Sequence, residues 1–220
     1  MPFPINRRIS CRLTPWLAAL RLSPNAVTGL SLAAGMLASW NLQQGTAQGW
    51  LLASLWLQAA YLLDNCDGEL ARLTGRSSGL GSWLDTVADC LIHAAFFFAL
   101  GVGLCRAESN RFWLRMGIAA AAGVLLSYLL YVFRQVRRRG REAWRHPDPP
   151  ATEEPQGAWN RLRKSGREDF SLIVIASALA HQMGWLLWLG LLGAYGVGLL
   201  DLFSGVAAGR RMAAERQVVG

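Results

Sequence analysis

The sequence predicts an all-α, polytopic membrane protein: six transmembrane helices preceded by an amphipathic helix on the membrane surface. Three observations carry this. Of 220 residues, 53% are hydrophobic and only 16% charged, against about a quarter charged in an ordinary soluble domain. The charges are also segregated: residues 22–44, 46–63, 90–105, 116–133 and 170–200 contain none, and apolar runs of about 18 or more read as spans. Finally, the net charge of +8 is placed where topology would put it, in the connecting segments. That distribution excludes a disordered chain, a nucleic-acid-binding domain and a secreted disulfide scaffold. Cys11, Cys66, Cys90 and Cys105 have no CxxC spacing and read as small apolar groups in or beside spans.

Residues 1–22 alternate Arg7, Arg8 and Arg12 with Ile9, Leu13, Trp16 and Leu17, the pattern of an interfacial amphipathic helix and not of a cleavable leader. The six-helix domain is expected over 23–212. Ser23-Pro24-Asn25 opens the first span, with Ser23 as N-cap and Pro24 at the first helical position, and that span runs to about Gln44. The second runs from about Ala47 to Leu73, and the Gly- and Ser-rich 74–80 segment is a turn. The third covers about 81–104 and the fourth about 111–136. A polar loop with Pro147, Pro149 and Pro150 follows over 137–167.

Residues 170–200 form a 31-residue stretch without formal charge, longer than the ~20 one span needs. A hairpin broken near Gln182-Met183-Gly184 gives six spans. Both termini, the 74–80 turn and the 137–167 loop then share one side with 19 of the 22 basic residues, leaving Arg106, Arg111 and Arg115 opposite. The basic side is the cytoplasmic one, so a bacterial-type inner membrane with both ends inside is expected.

The second span ends Asp64-Asn65-Cys66-Asp67-Gly68-Glu69-Leu70-Ala71-Arg72, and the third carries Gly81, Asp85 and Asp89. At 100° per residue Asp64, Asp67, Gly68 and Ala71 share a sector of about 100°, with Arg72 at its edge, while Gly81, Asp85 and Asp89 form an i, i+4, i+8 stripe. A short turn makes the helices antiparallel, so the carboxylate faces can converge in a site recessed from, but open to, the cytoplasm. Unpaired, four such carboxylates cost about 2.5–3.5 kcal/mol each. Two divalent cations would balance them, and an all-oxygen ligand set suits Mg²⁺, Mn²⁺ or Ca²⁺ and not zinc. Such ions could clamp a diphosphate. Gly68, Ala71 and Gly81 leave room for a substrate, and Arg72 is placed to meet a phosphate.

Asp64, Asp67, Gly68, Ala71, Arg72, Gly81, Asp85 and Asp89 reproduce the pattern D-x2-D-G-x2-A-R-x8-G-x3-D-x3-D. The string resembles the signature of the CDP-alcohol phosphotransferase (phosphatidyltransferase) family at all eight positions. The resemblance implies transfer of a phosphatidyl-like group from a CDP-linked donor, such as CDP-diacylglycerol, to an alcohol hydroxyl with release of CMP. It implies two Mg²⁺ or Mn²⁺ ions on Asp64, Asp67 and Asp85, and Asp89 as general base and further metal contact. Gly68, Ala71, Arg72 and Gly81 would line the nucleotide. The expected surroundings are the lipid bilayer and a second copy of the chain, with no nucleic acid. Arg134, Arg138, Lys164 and Arg167 read by default as topogenic charge and otherwise as acceptor-binding cations at the pocket mouth. Residues 164–169 open the fifth span where relatives with phosphorylated acceptors place cations, and the Asp-Gly-Glu-x-Ala-Arg form resembles the branch using inositol phosphate or similar polar acceptors, so a polyol, inositol or glycerol phosphate is the expected acceptor.

Glu69 lies about 140° from Asp64 and reads as structural or as a support behind the site's own ligands. His93, one turn beyond Asp89, either lines the pocket or is a hydrogen-bonded core residue, and His181 reads as structural at the outer turn. Trp50, Trp113, Trp185 and Trp188 read as interfacial anchors. Two other functions fit intramembrane carboxylates. An intramembrane prenyltransferase would need a second Asp-rich motif on a later helix, and after Asp89 the spans hold none. A divalent-cation transporter would need polar residues continuing to the far side, where the later spans offer almost none before Asp201.

Overall fold

The computed structural model describes residues 5–140 and 170–196, and all the regular structure in them is helical. In chain order these are α1 (Ile5–Ala19), α2 (Pro24–Leu42), α3 (Ala47–Thr74), α4 (Gly79–Glu108), α5 (Arg111–Arg139), α6 (Phe170–Leu179) and α7 (Gly184–Gly196).

Local chemistry sets most of the boundaries. The Ser23 side chain accepts from Ala26 N and Pro24 opens α2, as its sequence requires. Thr46 caps α3 through Gly49 N. Gly75 ends α3 at φ +64°, and Arg76 N reaches back to Ala71 O at 3.0 Å, a left-handed cap for which glycine carries no Cβ penalty. Ser78 caps α4 through Gly81 N at 3.1 Å, so α4 begins at Gly79, two residues before the expected Gly81. At the other end it runs to Glu108, one turn past the expected Leu104, because Ser109 turns left-handed (φ 52°) only there. Asn110 caps α5 through Phe112 N.

The 170–196 segment is broken as expected, at Ala180–Met183, where His181 takes φ +55° and Gln182 N bonds Ser177 O at 2.9 Å. His181 is exposed in that turn. The described parts of the two pieces are 10 and 13 residues, about 15 and 20 Å of helix. Among the described residues two helices, α4 and the 111–133 part of α5, are long and apolar enough to cross the ~30 Å hydrocarbon core, with mean hydropathy 1.9 and 2.0. α2 and α3 carry the polar groups of the site: Thr28, Ser31, Ser39 and Asp67 are buried, and these lower the hydropathy of otherwise apolar helices. Apolar side chains such as Leu125, Leu129, Phe133 and Leu192 face outward, as lipid contact demands.

α2 packs on α3 and α4, α4 on α5, and α1 and α6 on α3. Leu57, Phe96, Leu100, Val174 and Leu186 anchor the main core, and a smaller cluster of Val27, Cys66 and Leu70 sits beside the acidic motif. Close approach of α4 and α5 depends on glycine: a Cβ on Gly101 would stand 2.6 Å from Gly117 Cα. α7 runs alongside α5, Gly184 against Trp113 and Tyr195 OH on Ala119 O at 3.0 Å. Trp50, Trp113, Trp185 and Trp188 therefore all begin helices at the end of the bundle opposite the acidic motif, and Trp113 Nε1 donates to Glu108 there at 2.6 Å.

Candidate metal and phosphate site

α3 and α4 each pack on α2 and, against the expectation of direct antiparallel neighbours, not closely on each other; their facing carboxylates still come together beside α2. One oxygen each from Asp64, Asp67 and Asp85 lies within 4.8 Å of the others. Asp67 is only 5% exposed, and Asp64 and Asp85 are half-buried. Thr28 Oγ1, on α2, donates to Asp67 Oδ2 and so fixes which oxygen remains toward the cluster. Hard, anionic oxygens gathered this closely are a donor set that fits Mg²⁺ or Mn²⁺; cysteine and histidine are absent from the group.

Asp89 stands apart from that triad. It lines a small cleft, about 180 Å³ with its solvent, together with Asp64, Ser31, Tyr61 and His93. Its Oδ2 accepts from Tyr128 OH of α5 at 3.2 Å. His93 Nδ1 lies 2.7 Å from Asp89 O, and its Nε2 2.8 Å from Tyr61 OH. A carbonyl only accepts, so Nδ1 carries the proton and Nε2 is the atom that shares a hydrogen bond with the Tyr61 hydroxyl. His93 thus lines the cleft and is also a hydrogen-bonded core residue.

The remaining motif residues surround this cluster. A Cβ on Gly68 would meet Arg72 Nη1 at 3.5 Å, so the exposed guanidinium folds back over the glycine. Gly81 lies against the start of α2: a Cβ there would stand 3.0 Å from Asn25 Oδ1 and 3.2 Å from Ser78 Oγ. Ala71 is half-buried on the same face of α3. Glu69 points the other way, to α1, as its helical position indicates, accepting from Ser10 Oγ at 2.8 Å and Thr14 Oγ1 at 2.7 Å. Cys11 Sγ also donates to it at 3.3 Å, and that bond raises the thiol's pKa. Arg134 and Arg138 belong to the C-terminal turns of α5, the end nearest Asp89; Lys164 and Arg167 lie outside the described residues, as do 141–167 of the polar loop.

Thr28, Tyr61 and Tyr128 are site residues that the motif does not contain. Thr28 and Ser31, one turn apart on an otherwise apolar α2, are the signal that would have found the first. The tyrosines carry no comparable mark.

A family model for CDP-alcohol phosphatidyltransferase matches residues 21–196, and the chain belongs to that family. It is 36% identical over 100 residues to a bifunctional IPC transferase and DIPP synthase of Aquifex aeolicus, covering 46% of this chain and 22% of that one. It is 35% identical over 92 residues to an archaetidylinositol phosphate synthase of Pyrococcus horikoshii, covering 42% and 47%. With a phosphatidylinositol phosphate synthase of Cutibacterium acnes the identity is 34% over 84 residues, covering 37% and 41%. The chain thus spans less than half the length of each of these relatives.

Proposed function

We propose that this protein transfers a phosphatidyl-like group from a CDP-linked donor to the hydroxyl of a phosphorylated polyol, releasing CMP. The observation carrying this is the convergence of Asp64, Asp67 and Asp85 beside a separate carboxylate, Asp89, in a member of this family. The acceptor oxygen attacks the phosphorus that bears the lipid group, the bond from that phosphorus to the bridging oxygen breaks, and CMP leaves. Asp89 takes the hydroxyl proton, held for it by Tyr128. Asp64, Asp67 and Asp85 would hold divalent cations, which supply charge neutralisation for the diphosphate. Gly68, Ala71 and Gly81 give the nucleotide a wall without bulky side chains, and Arg72 meets its phosphate.

Arg134, Arg138, Lys164 and Arg167 would hold the acceptor's phosphate by charge-assisted hydrogen bonds; three relatives named for inositol phosphate products or IPC transfer support that acceptor class. The membrane arrangement proposed is six spans, α2 to α7, as a homodimer with the site open to the cytoplasm. Transfer from radiolabelled CDP-diacylglycerol to a panel of acceptors tests the reading. Turnover of inositol phosphate or glycerol phosphate is expected, and efficient turnover of free choline or serine would refute the acceptor class.

A further inference from the structure

The helix expected to be a surface anchor is joined to the bundle in an unusual way. Most of its hidden face is polar: Asn6, Ser10 and Thr14, at four-residue spacing, are 0%, 0% and 4% exposed, with Leu17 and Ala18 packing on the Val27, Cys66 and Leu70 cluster only at its C-terminal end. Ile9, Leu13 and Trp16 are the exposed ones. Apolar burial is non-directional, so a greasy face would let α1 and α3 slide and roll against each other. A seam of hydrogen bonds fixes both rotation and register.

The seam ends inside the acidic motif. Ser10 Oγ lies 2.8 Å from Glu69 Oε1 and 3.1 Å from Arg7 O, and its single proton goes to the closer, charged acceptor. Thr14 Oγ1 takes the other carboxylate oxygen at 2.7 Å. Eleven residues, about three turns, earlier on α3, Gln58 Nε2 donates to Asn6 Oδ1 at 2.6 Å. α3 is thus gripped at two heights on the side opposite its metal-facing carboxylates.

We propose that Glu69 is a positioning residue: clamped by Ser10 and Thr14, it sets the rotation of α3 that presents Asp64 and Asp67 to α4. α1 is then a working part of the site and not only its membrane anchor. The proposal rests on the reading of those carboxylates as metal ligands. Side-chain tips sit about 5–6 Å from a helix axis, so a 20° roll of α3 carries them roughly 2 Å, while metal–ligand distances are held to about 0.2 Å.

The test compares Glu69→Ala, Ser10→Ala/Thr14→Val and their combination, with Thr14→Ser as the hydroxyl-preserving control. Mn²⁺ binding to the purified full chain is read by electron paramagnetic resonance, alongside the Mn²⁺ needed for half-maximal transfer. Both variants are expected to weaken Mn²⁺ binding about 10- to 100-fold, the usual effect of losing a ligand-orienting partner. The combination should be no worse than either, since one clamp has been removed twice, and Thr14→Ser should bind as the wild type. kcat at saturating Mn²⁺ should change far less. Wild-type Mn²⁺ binding in Ser10→Ala/Thr14→Val, which keeps the carboxylate and tests the clamp even if Glu69→Ala does not fold, would overturn the proposal, as would additive effects. A wild type that binds Mn²⁺ yet turns over no CDP-linked donor would reject the proposed function and leave this positioning role standing.

Discussion

Replacing Asp85 with asparagine should make the protein more stable and inactive at once. Asp64, Asp67 and Asp85 present oxygens within 4.8 Å of one another. At an effective dielectric of 20, two unit charges at 4.8 Å repel by about 3.5 kcal/mol. Without a cation the triad contains up to three such pairs, fewer where one carboxyl keeps its proton, and Asp85→Asn removes those it takes part in while keeping the side chain's shape. Solvent and relaxation absorb most of that repulsion, so the expected gain is about 0.5–3 kcal/mol, the range for directly interacting residues. For a chain of this size each kcal/mol moves Tm by about 2–4 °C. In EDTA the variant should therefore melt a few degrees above the wild type. With Mn²⁺ the order reverses: a ligand at 100 times its Kd stabilises by about 2.7 kcal/mol, which the wild type gains and the variant loses. Thermal melts in detergent with EDTA and with Mn²⁺, plus CMP release, read all three. A variant less stable than wild type in EDTA that keeps the Mn²⁺ shift would refute both the repulsion and the ligand assignment.

Thr28→Val removes the hydroxyl that orients Asp67 without changing the volume of the buried site; it should weaken Mn²⁺ binding about 10- to 100-fold in the same titration and, by leaving a buried carboxylate oxygen without its donor, lower Tm in EDTA by a few degrees. Tyr128→Phe should lower kcat about tenfold and leave the donor KM unchanged; hydrogen bonds to charged groups contribute about 1.5–3 kcal/mol, and the 3.2 Å separation places this one at the weak end. An unchanged kcat would detach Tyr128 from the chemistry. Gly101→Ala would drive a methyl to 2.6 Å from Gly117 Cα and 2.8 Å from Trp113 O, backbone that cannot yield cheaply, so detergent melts should show a loss of about 1–3 kcal/mol.

What the sequence determined by itself is local. Caps and breakers act within four residues, so Ser23-Pro24, Thr46, Gly75 and the 180–183 turn could be placed from residue type and spacing. The acidic face of α3 and the Asp85–Asp89 stripe follow from 100° per residue and a short turn, and so does the outward direction of Glu69. Only the tertiary structure decided what each face meets. Thr28 on Asp67 and Tyr128 on Asp89 each join residues 39 apart, and Ser10 and Thr14 reach 59 and 55 residues to Glu69. Nothing periodic in the chain encodes those pairings, because they depend on how far each helix is rolled against its neighbour. α1 shows the difference most clearly. Its arginines and apolar residues mark a surface helix, but the polar stripe Asn6-Ser10-Thr14 has no meaning until α3 supplies Gln58 and Glu69 as partners. A hydroxyl is as easily solvated as buried, and only packing chooses between the two.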